Sequence, residues 1–390
     1  MVQKLVKRNH EIALDMFVCF LGLLFIESVY ASHISQSLIF SVCFHSYLHW
    51  VGSNKHNHHL HSSSCWCHSS KVVEALLFGD HEAKAAAAEA VTHLTNKQRQ
   101  KLAENGAIPA IVSMLHAPPD FKSLESAIFA LLSLAYGSER NKIRIAKAGA
   151  IPQLLNLVQS QIHPLIDHVI AALLILSSCS ANKSSMAACG AIEILIQTLH
   201  ENNSTQAKLD IIVTLHNLSQ WIPNILLSCA SSSLIHLVNQ SEKSSKLVEK
   251  SMGLLENIVS SSEIALQEIA STTFGIRALV ETVEEGSKHC KEYAVGMLLM
   301  ICESSRETYR GMILREGAIP GLMQVSIDGT KRAKASAKSL LRLLRDCSSD
   351  FRSERSKNVV LEQVMGEIDR GEMRGIEVGM VEEMIARLNM

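Results

Sequence analysis

The densest group of chemically capable side chains in this 390-residue chain is His56, His58, His59, His61, Cys65, Cys67 and His68. Imidazole and thiolate at this density are zinc ligands by type. Their order is not that of a paired-ligand site, because Cys-x-Cys-His beside a histidine run lacks the two spaced pairs a zinc finger uses. A polar linker that picks up metal adventitiously accounts for the same residues. No metal ligand is therefore assigned and no cofactor is expected. The chain has no nucleophile elbow, no phosphate-binding P-loop, no H-E-x-x-H pair and no glycine-rich loop after a strand. His200 and His216 stand singly in helical stretches and read as ordinary helix histidines. No catalytic residue is expected.

Two groups remain that could bind. Asn217 and Asn257 fall at corresponding places in successive periods of the sequence and could each hydrogen-bond an extended backbone, or equally pair within their own stack. Lys331, Lys334, Lys338, Arg342 and Arg345 step by three or four, so they share one face of a helix. That basic stripe could hold an acidic partner or a phosphate, or simply be a solvated face at the end of the array. The chain as a whole carries a net charge of −1, so no nucleic-acid or membrane partner is expected from bulk charge.

These residues are positioned by a repeat. Gly106-Ala107-Ile108-Pro109 recurs as Gly149-Ala150-Ile151-Pro152, as Gly190-Ala191-Ile192 without the proline, and as Gly317-Ala318-Ile319-Pro320; weaker copies surround Ser233-Leu234 and Gly275-Ile276. Counted on the aliphatic, from Ile108 through Ile151, Ile192, Leu234 and Ile276 to Ile319, the steps are 43, 41, 42, 42 and 43 residues. A period this regular is that of a helical solenoid. Each glycine follows a helical stretch and can end it at positive φ. The proline is expected at the first position of the next helix, where its missing N–H costs nothing. The aliphatic then leads an i, i+3, i+4, i+7 stripe, such as Ile151, Leu154, Leu155 and Val158. A third, longer helix follows, over Ser123–Tyr136, Ile166–Ser178, Gln206–Ser219, Ser245–Val259, Lys288–Cys302 and Lys331–Arg345, apolar nearly all round and so destined for the middle of the stack. The fourth unit is irregular, opening on Trp221-Ile222-Pro223 with Ala230–Ser233 in place of the corner.

The composition, 47% hydrophobic and 19% charged, suits such an array. Repeats are expected over residues 71–346, led by a capping unit with Val72, Val73, Leu76 and Leu77 and an alanine-rich helix. Residues 1–70 form a non-repeat segment. There Lys4, Lys7 and Arg8 precede an apolar run, Met16–Ile26, and Val29-Tyr30-Ala31 offers small residues, in the form of a signal peptide or weak anchor. The run is short of the ~20 residues of a membrane span, and Asn217-Leu218-Ser219 would put a glycosylation sequon inside a packed helix, so an extra amphipathic or unfolded stretch fits as well. Residues 347–390 read as a linker with short helices. Cysteines of the repeats (Cys179, Cys189, Cys229, Cys290, Cys302, Cys347) behave as small apolar side chains, which points to a reducing compartment, cytoplasm or nucleus.

The pattern of short, long and longer helices resembles armadillo repeats, and its details resemble the armadillo region of plant U-box ubiquitin ligases. The carriers are Asn105-Gly106-Ala107-Ile108-Pro109, Lys147-Ala148-Gly149-Ala150-Ile151-Pro152, Arg315-Glu316-Gly317-Ala318-Ile319-Pro320 and the Leu-Ser-Leu-Ala or Asn-Leu-Ser ends of third helices. The resemblance implies an all-α, right-handed superhelical armadillo solenoid whose third helices line a concave groove. It implies a protein or extended-peptide partner along that groove and a role as interaction scaffold in ubiquitin or signalling pathways. The alternative is the recognition half of a ligase whose U-box is separate or missing, since residues 1–70 show no Cys-Pro-Ile, Asp-Pro-Val or Thr-Gly core; a further alternative is a secreted or membrane-tethered repeat protein. Armadillo proteins that carry nuclear-import cargo bear Trp and Asn four residues apart on third helices. Here Phe129, Ala171, Val213, Gly253 and Gly296 stand at the Trp place, and only Asn217 and Asn257 keep the Asn, so an import ladder is not expected. The expected partner-binding residues are Asn217, Asn257, Lys334, Lys338 and Arg342.

Overall fold

The computed structural model describes residues 69–116, 121–160, 165–201, 204–222 and 224–345. The histidine–cysteine segment 56–68, the apolar run Met16–Ile26, Cys347 and the short helices expected near the C-terminus lie outside the described residues.

The array begins with α1 (Ser69–Phe78) and α2 (His81–Thr92), the second and third helices of a capping unit. Complete triplets follow: α3 (Asn96–Glu104), α4 (Ala107–Met114) and α5 (Phe121–Ala135); α6 (Glu139–Lys147), α7 (Ala150–Gln159) and α8 (Ile166–Ser177); α9 (Ser180–Ala188), α10 (Ala191–Glu201) and α11 (Thr205–Asn217). In the fourth unit a 3-10 turn, Ser219–Trp221, replaces the first helix, before α12 (Asn224–Gln240) and α13 (Lys246–Ser261). The last two units are α14 (Glu263–Ser271), α15 (Gly275–Glu285) and α16 (Lys288–Ser304), then α17 (Arg306–Arg315), α18 (Ala318–Asp328) and α19 (Lys331–Leu344). Third helices α2, α5, α8, α11, α13, α16 and α19 each pack on the next, and second helices α7, α10, α12, α15 and α18 form a parallel row. This is an all-helical, armadillo-type α solenoid.

Its core is the set of periodic aliphatics. Ile108, Ile151, Ile192, Leu234 and Ile276 are all buried, and α8 buries every residue from Val169 to Ser177. A helix apolar on all sides can only sit between neighbours. First helices add polar ties. Their side chains satisfy the carbonyls that a helix C-terminus leaves without intrahelical donors: Asn141 Nδ2 donates to the Leu134 carbonyl (2.9 Å), Arg99 Nη1 to that of Ser133 (2.7 Å) and Arg306 Nε to that of Leu343 (2.6 Å). A small gap lined by Leu131, Ile145, Leu154 and Leu176 is wholly aliphatic and offers nothing to a polar ligand.

The corner glycines behave as expected. Gly106, Gly149, Gly190 and Gly317 have φ of 88°, 87°, 76° and 78°. The proline differs from expectation by two positions: Pro109, Pro152 and Pro320 stand third in α4, α7 and α18. The whole first turn lacks intrahelical N–H partners, so the third position tolerates proline for the same reason as the first. The fourth unit departs further. Ala230–Ser233 is no corner, because α12 runs straight through it. Among the expected small-apolar cysteines, Cys179, Cys290 and Cys302 are buried, whereas Cys189 and Cys229 reach the surface.

Candidate functional site

The row of third helices carries the polar groups that could meet a partner. Its edge is built from a recurring tie. The N-cap hydroxyl of one third helix accepts a hydrogen bond from its own backbone and donates one to a carboxylate on the third helix before it. Ser204 Oγ donates to Asp167 Oδ2 (2.7 Å), Ser287 Oγ to Glu249 Oε2 (2.8 Å) and Thr330 Oγ1 to Glu292 Oε2. The same hydroxyls accept from the N–H of Ala207, Cys290 and Ala333. Each thus caps one helix and fixes its offset from the next. Asp167, Glu249 and Glu292 stand four residues before Ala171, Gly253 and Gly296, and Glu125 holds the same register before Phe129. Burial, and then the neighbouring Glu89, push the Glu125 carboxyl up.

Asn217 is half-buried, and its Nδ2 donates to Ser177 Oγ (2.9 Å) on the preceding third helix. Asn257 is exposed, and its Nδ2 lies 3.5 Å from His216 Nε2. Burial, then the positive charges of Lys250 and Lys183, hold His216 below the usual imidazole range even though its ring edge meets solvent. A neutral imidazole can accept from that amide. The two asparagines are therefore neighbours through His216 rather than partners of each other. Each keeps its carbonyl oxygen out of these contacts.

The basic stripe lies elsewhere. On α19 the buried arc is Ala333, Ala337, Leu340, Leu341 and Leu344. At 100° per residue, Lys334, Lys338 and Arg342 flank that arc on one side and Arg332 on the other. Arg332, absent from the expected binding residues, is the cation that faces α13 and α16. Its guanidinium pairs with Glu256 of α13, and its Nη1 lies 3.3 Å from Glu292 Oε1 of α16. Glu256 is only 8% exposed. Beside the pair, Gly296 leaves room that a side chain would fill: a Cβ there would stand 3.3 Å from Glu256 Oε1. Gly253 similarly faces the Tyr293 ring, 3.6 Å from an added Cβ. Burial and the carboxylates of Glu256, Glu292 and Glu249 push the Tyr293 phenol up and keep it protonated.

A continuous strip results: Asn217 and His216 on α11, Asn257, Gly253 and Glu256 on α13, Tyr293, Gly296 and Glu292 on α16, and Arg332 on α19. The chain is an armadillo-type solenoid resembling the armadillo region of plant U-box proteins. No family model matches it. U-box domain-containing protein 1 of Medicago truncatula is 30% identical over 332 residues, 73% of this chain and 48% of that protein. U-box domain-containing protein 45 of Arabidopsis thaliana is 29% identical over 251 residues, 63% of this chain and 32% of that protein. The chain thus spans about a third to about a half of the length of these relatives. Among solved structures, a chain from a study of the interaction between cadherin and beta-catenin superposes with a TM-score of 0.62 at 16% identity, covering 82% of this chain and 64% of that one. An engineered protein gives 0.60 at 16% identity, covering 82% of this chain and 87% of that one. These two show the solenoid fold.

Among the described residues no group of three His, Cys, Asp or Glu side chains is arranged to hold a metal, and no helix is long and apolar enough to cross a membrane.

Proposed function

We propose that the repeat array, residues 71–346, is a non-enzymatic interaction scaffold that holds an extended segment of a partner protein along the groove of its third helices. One observation carries this reading. Along α11, α13 and α16 the face presents the exposed Asn257 amide and the carbonyl oxygen of Asn217, whose Nδ2 is held by Ser177, beside two glycines, Gly253 and Gly296, where side chains would otherwise fill the groove. Exposed Asn257, its amide held only by a 3.5 Å contact, is suited to a partner backbone. A main chain laid along such a face gains affinity from backbone hydrogen bonds. That a superposable chain comes from a study of the interaction between cadherin and beta-catenin supports a protein as the kind of partner. Lys334, Lys338 and Arg342 supply a separate contact for an acidic part of the partner at the end of the array. Compartments open to this reading are the cytoplasm and nucleus: the five described cysteines are free thiols, and the Asn217 sequon is half-buried and tied to Ser177.

The test pairs discovery with variants. Proximity labelling supplies partners, and their affinity is then measured for the wild type and for Asn217→Ala/Asn257→Ala. Two lost hydrogen bonds to a bound backbone should weaken binding roughly tenfold or more. Normal binding by a correctly folded double variant places the site elsewhere. The basic contact is read with Lys334→Glu/Lys338→Glu, whose effect should fade with added salt.

A second reading is favoured by the two named relatives, both U-box proteins: the solenoid is the recognition part of a ubiquitin ligase acting with a separate or missing U-box. An autoubiquitination assay with a conjugating enzyme, with and without the identified partners, separates the two. Ubiquitin chains only in the presence of a U-box partner support the second reading, and none in any combination supports the first.

A further inference from the structure

We propose that Glu256 and Glu292 form a seat for a guanidinium group, occupied by Arg332 in the free chain and taken over by an arginine of a bound partner. The takeover rests on the groove reading; the seat itself is defined by this chain alone.

The seat is rigid and buried, while its occupant is neither. Glu256 is 8% exposed and lies on α13, a helix held on both flanks by neighbouring third helices. A carboxylate that deep requires a cationic or hydrogen-bonding partner. Glu292 is fixed from behind by Thr330, which uses one of its two oxygens and leaves Oε1 for the seat. Gly296 keeps the space beside Glu256 clear, and an added Cβ would stand 3.9 Å from Arg332 Nη2. Arg332 reaches this place from 76 residues away in sequence, across α16, with both Nη atoms on Glu256. That two-pronged geometry suits a planar guanidinium and not a point-like ammonium.

Nothing else ties Arg332 down so firmly. Its side chain is 56% exposed. It is the second residue of α19, where the positive end of the helix dipole disfavours a cation. Leaving the seat returns a long, flexible side chain to water. An arginine on a segment lying over Gly253 and Gly296 would meet the same two carboxylates without crossing a helix to do so. Arg332 therefore stands in for a ligand, and the groove prefers partners that present an arginine opposite α13 and α16.

The experiment uses the full chain, with N-acetyl-arginine amide as probe and N-acetyl-citrulline amide, neutral and of the same shape, as control. Binding is followed by titration calorimetry and by the side-chain 15N signals of arginine-labelled protein. The wild type should bind the arginine probe weakly and saturably, with Arg332 becoming free to exchange with water as it is displaced. Arg332→Gln and Arg332→Ala should bind it about tenfold more tightly. Citrulline should not bind, and Arg332→Gln/Glu256→Gln should lose the site. Binding by the variants with none by the wild type would make Arg332 a fixed structural tie and overturn the proposal. So would loss of fold in both single variants, equal binding of citrulline, or binding that survives Glu256→Gln. A partner lost on Asn217→Ala/Asn257→Ala while the probe fails would leave the groove standing and remove the seat alone.

Discussion

The outer units and the middle of the array solve the same problem differently. In the units containing Gly106, Gly149, Gly190 and Gly317 a left-handed glycine turns the chain sharply from first to second helix. In the middle, α12 is a single 17-residue helix with no corner, and α15 begins at Gly275, which lacks the positive φ. Yet Leu234, Ile235 and Val238 are as buried as Ile151, Leu154 and Val158. The stack requires the aliphatic stripe at the correct period, and the glycine corner is one of several ways to deliver it. The acidic register breaks one unit earlier, in the unit that keeps the Gly190 corner. Glu125, Asp167, Glu249 and Glu292 occupy it elsewhere, but α11 has Leu209 there, and the next residue, Asp210, is turned into the core at 1% exposure.

The largest effect should come from a glycine of the middle region. Gly275 is needed for space. An added Cβ would lie 1.9 Å from the Ile269 carbonyl oxygen, a backbone atom that cannot step aside. Gly275→Ala should cost at least about 3 kcal/mol, seen as a large fall in the denaturant midpoint. A wild-type midpoint would show that this turn yields, and that the middle units are as permissive as their sequences are irregular.

Next comes the buried carboxylate. Burial, and secondarily Asp167, raise the Asp210 pKa to about 7, against a hydrogen bond from Gln206 Nε2 (2.8 Å) that works the other way. Between about pH 4 and 7 the unfolded chain releases this proton while the folded chain keeps it. Asp210 therefore lowers stability progressively as pH rises through that window, on the order of 1 kcal/mol per pH unit. Asp210→Asn, measured by urea unfolding, should match the wild type near pH 4 and exceed it at pH 8. Parallel pH profiles for the two proteins would mean that Asp210 is solvated, and that the break in the acidic register has no energetic consequence.

An outer corner should be less sensitive than Gly275. Around Gly149 nothing lies within 4 Å of an added Cβ, so only its φ of 87° resists substitution. Gly149→Val should cost about 1–3 kcal/mol, against almost nothing for Gln153→Ala four residues on. Equal midpoints for those two variants would remove the backbone argument for the Gly-Ala-Ile-Pro corner.

These contrasts also explain what could be read from the chain. The solenoid was legible because its corners demand glycine and its faces demand aliphatics at fixed spacing, so third helices such as Ile166–Ser177 and Lys288–Ser304 fall where periodicity places them. The continuity of α12 was masked by the period, which puts a corner at Ala230–Ser233 although that stretch contains neither a corner glycine nor a helix breaker. Of the site, Asn217 and Asn257 were visible as survivors at a repeated place. Arg332 was not, because its partner Glu256 is almost two periods away, and only side-chain reach joins them. The ties from Ser204, Ser287 and Thr330 to acids 37 or 38 residues earlier do leave a signal. It is a hydroxyl before α11, α16 and α19 and an acid near the start of the third helix before each of them, visible once the repeats are aligned on their helices and not on their glycines.

The smallest effect should come from a glycine that belongs to neither class. Gly311 lies inside α17, the first helix of the last unit, away from the left-handed region and with nothing within 4 Å of an added Cβ. Neither space nor backbone conformation requires it. Alanine at a helix interior removes the entropy that glycine loses on folding. Gly311→Ala should therefore stabilise the chain by about 0.5–1 kcal/mol. Its sign is opposite to that at Gly275, where the chemical change is the same, and to that at Gly149. Thermal melts of the three variants side by side test the distinction. If Gly311→Ala melts below the wild type, glycine in this solenoid is constrained by something other than corner geometry and close approach, such as a partner pressed against α17, and the contrast between outer and middle units would have to be redrawn around that surface.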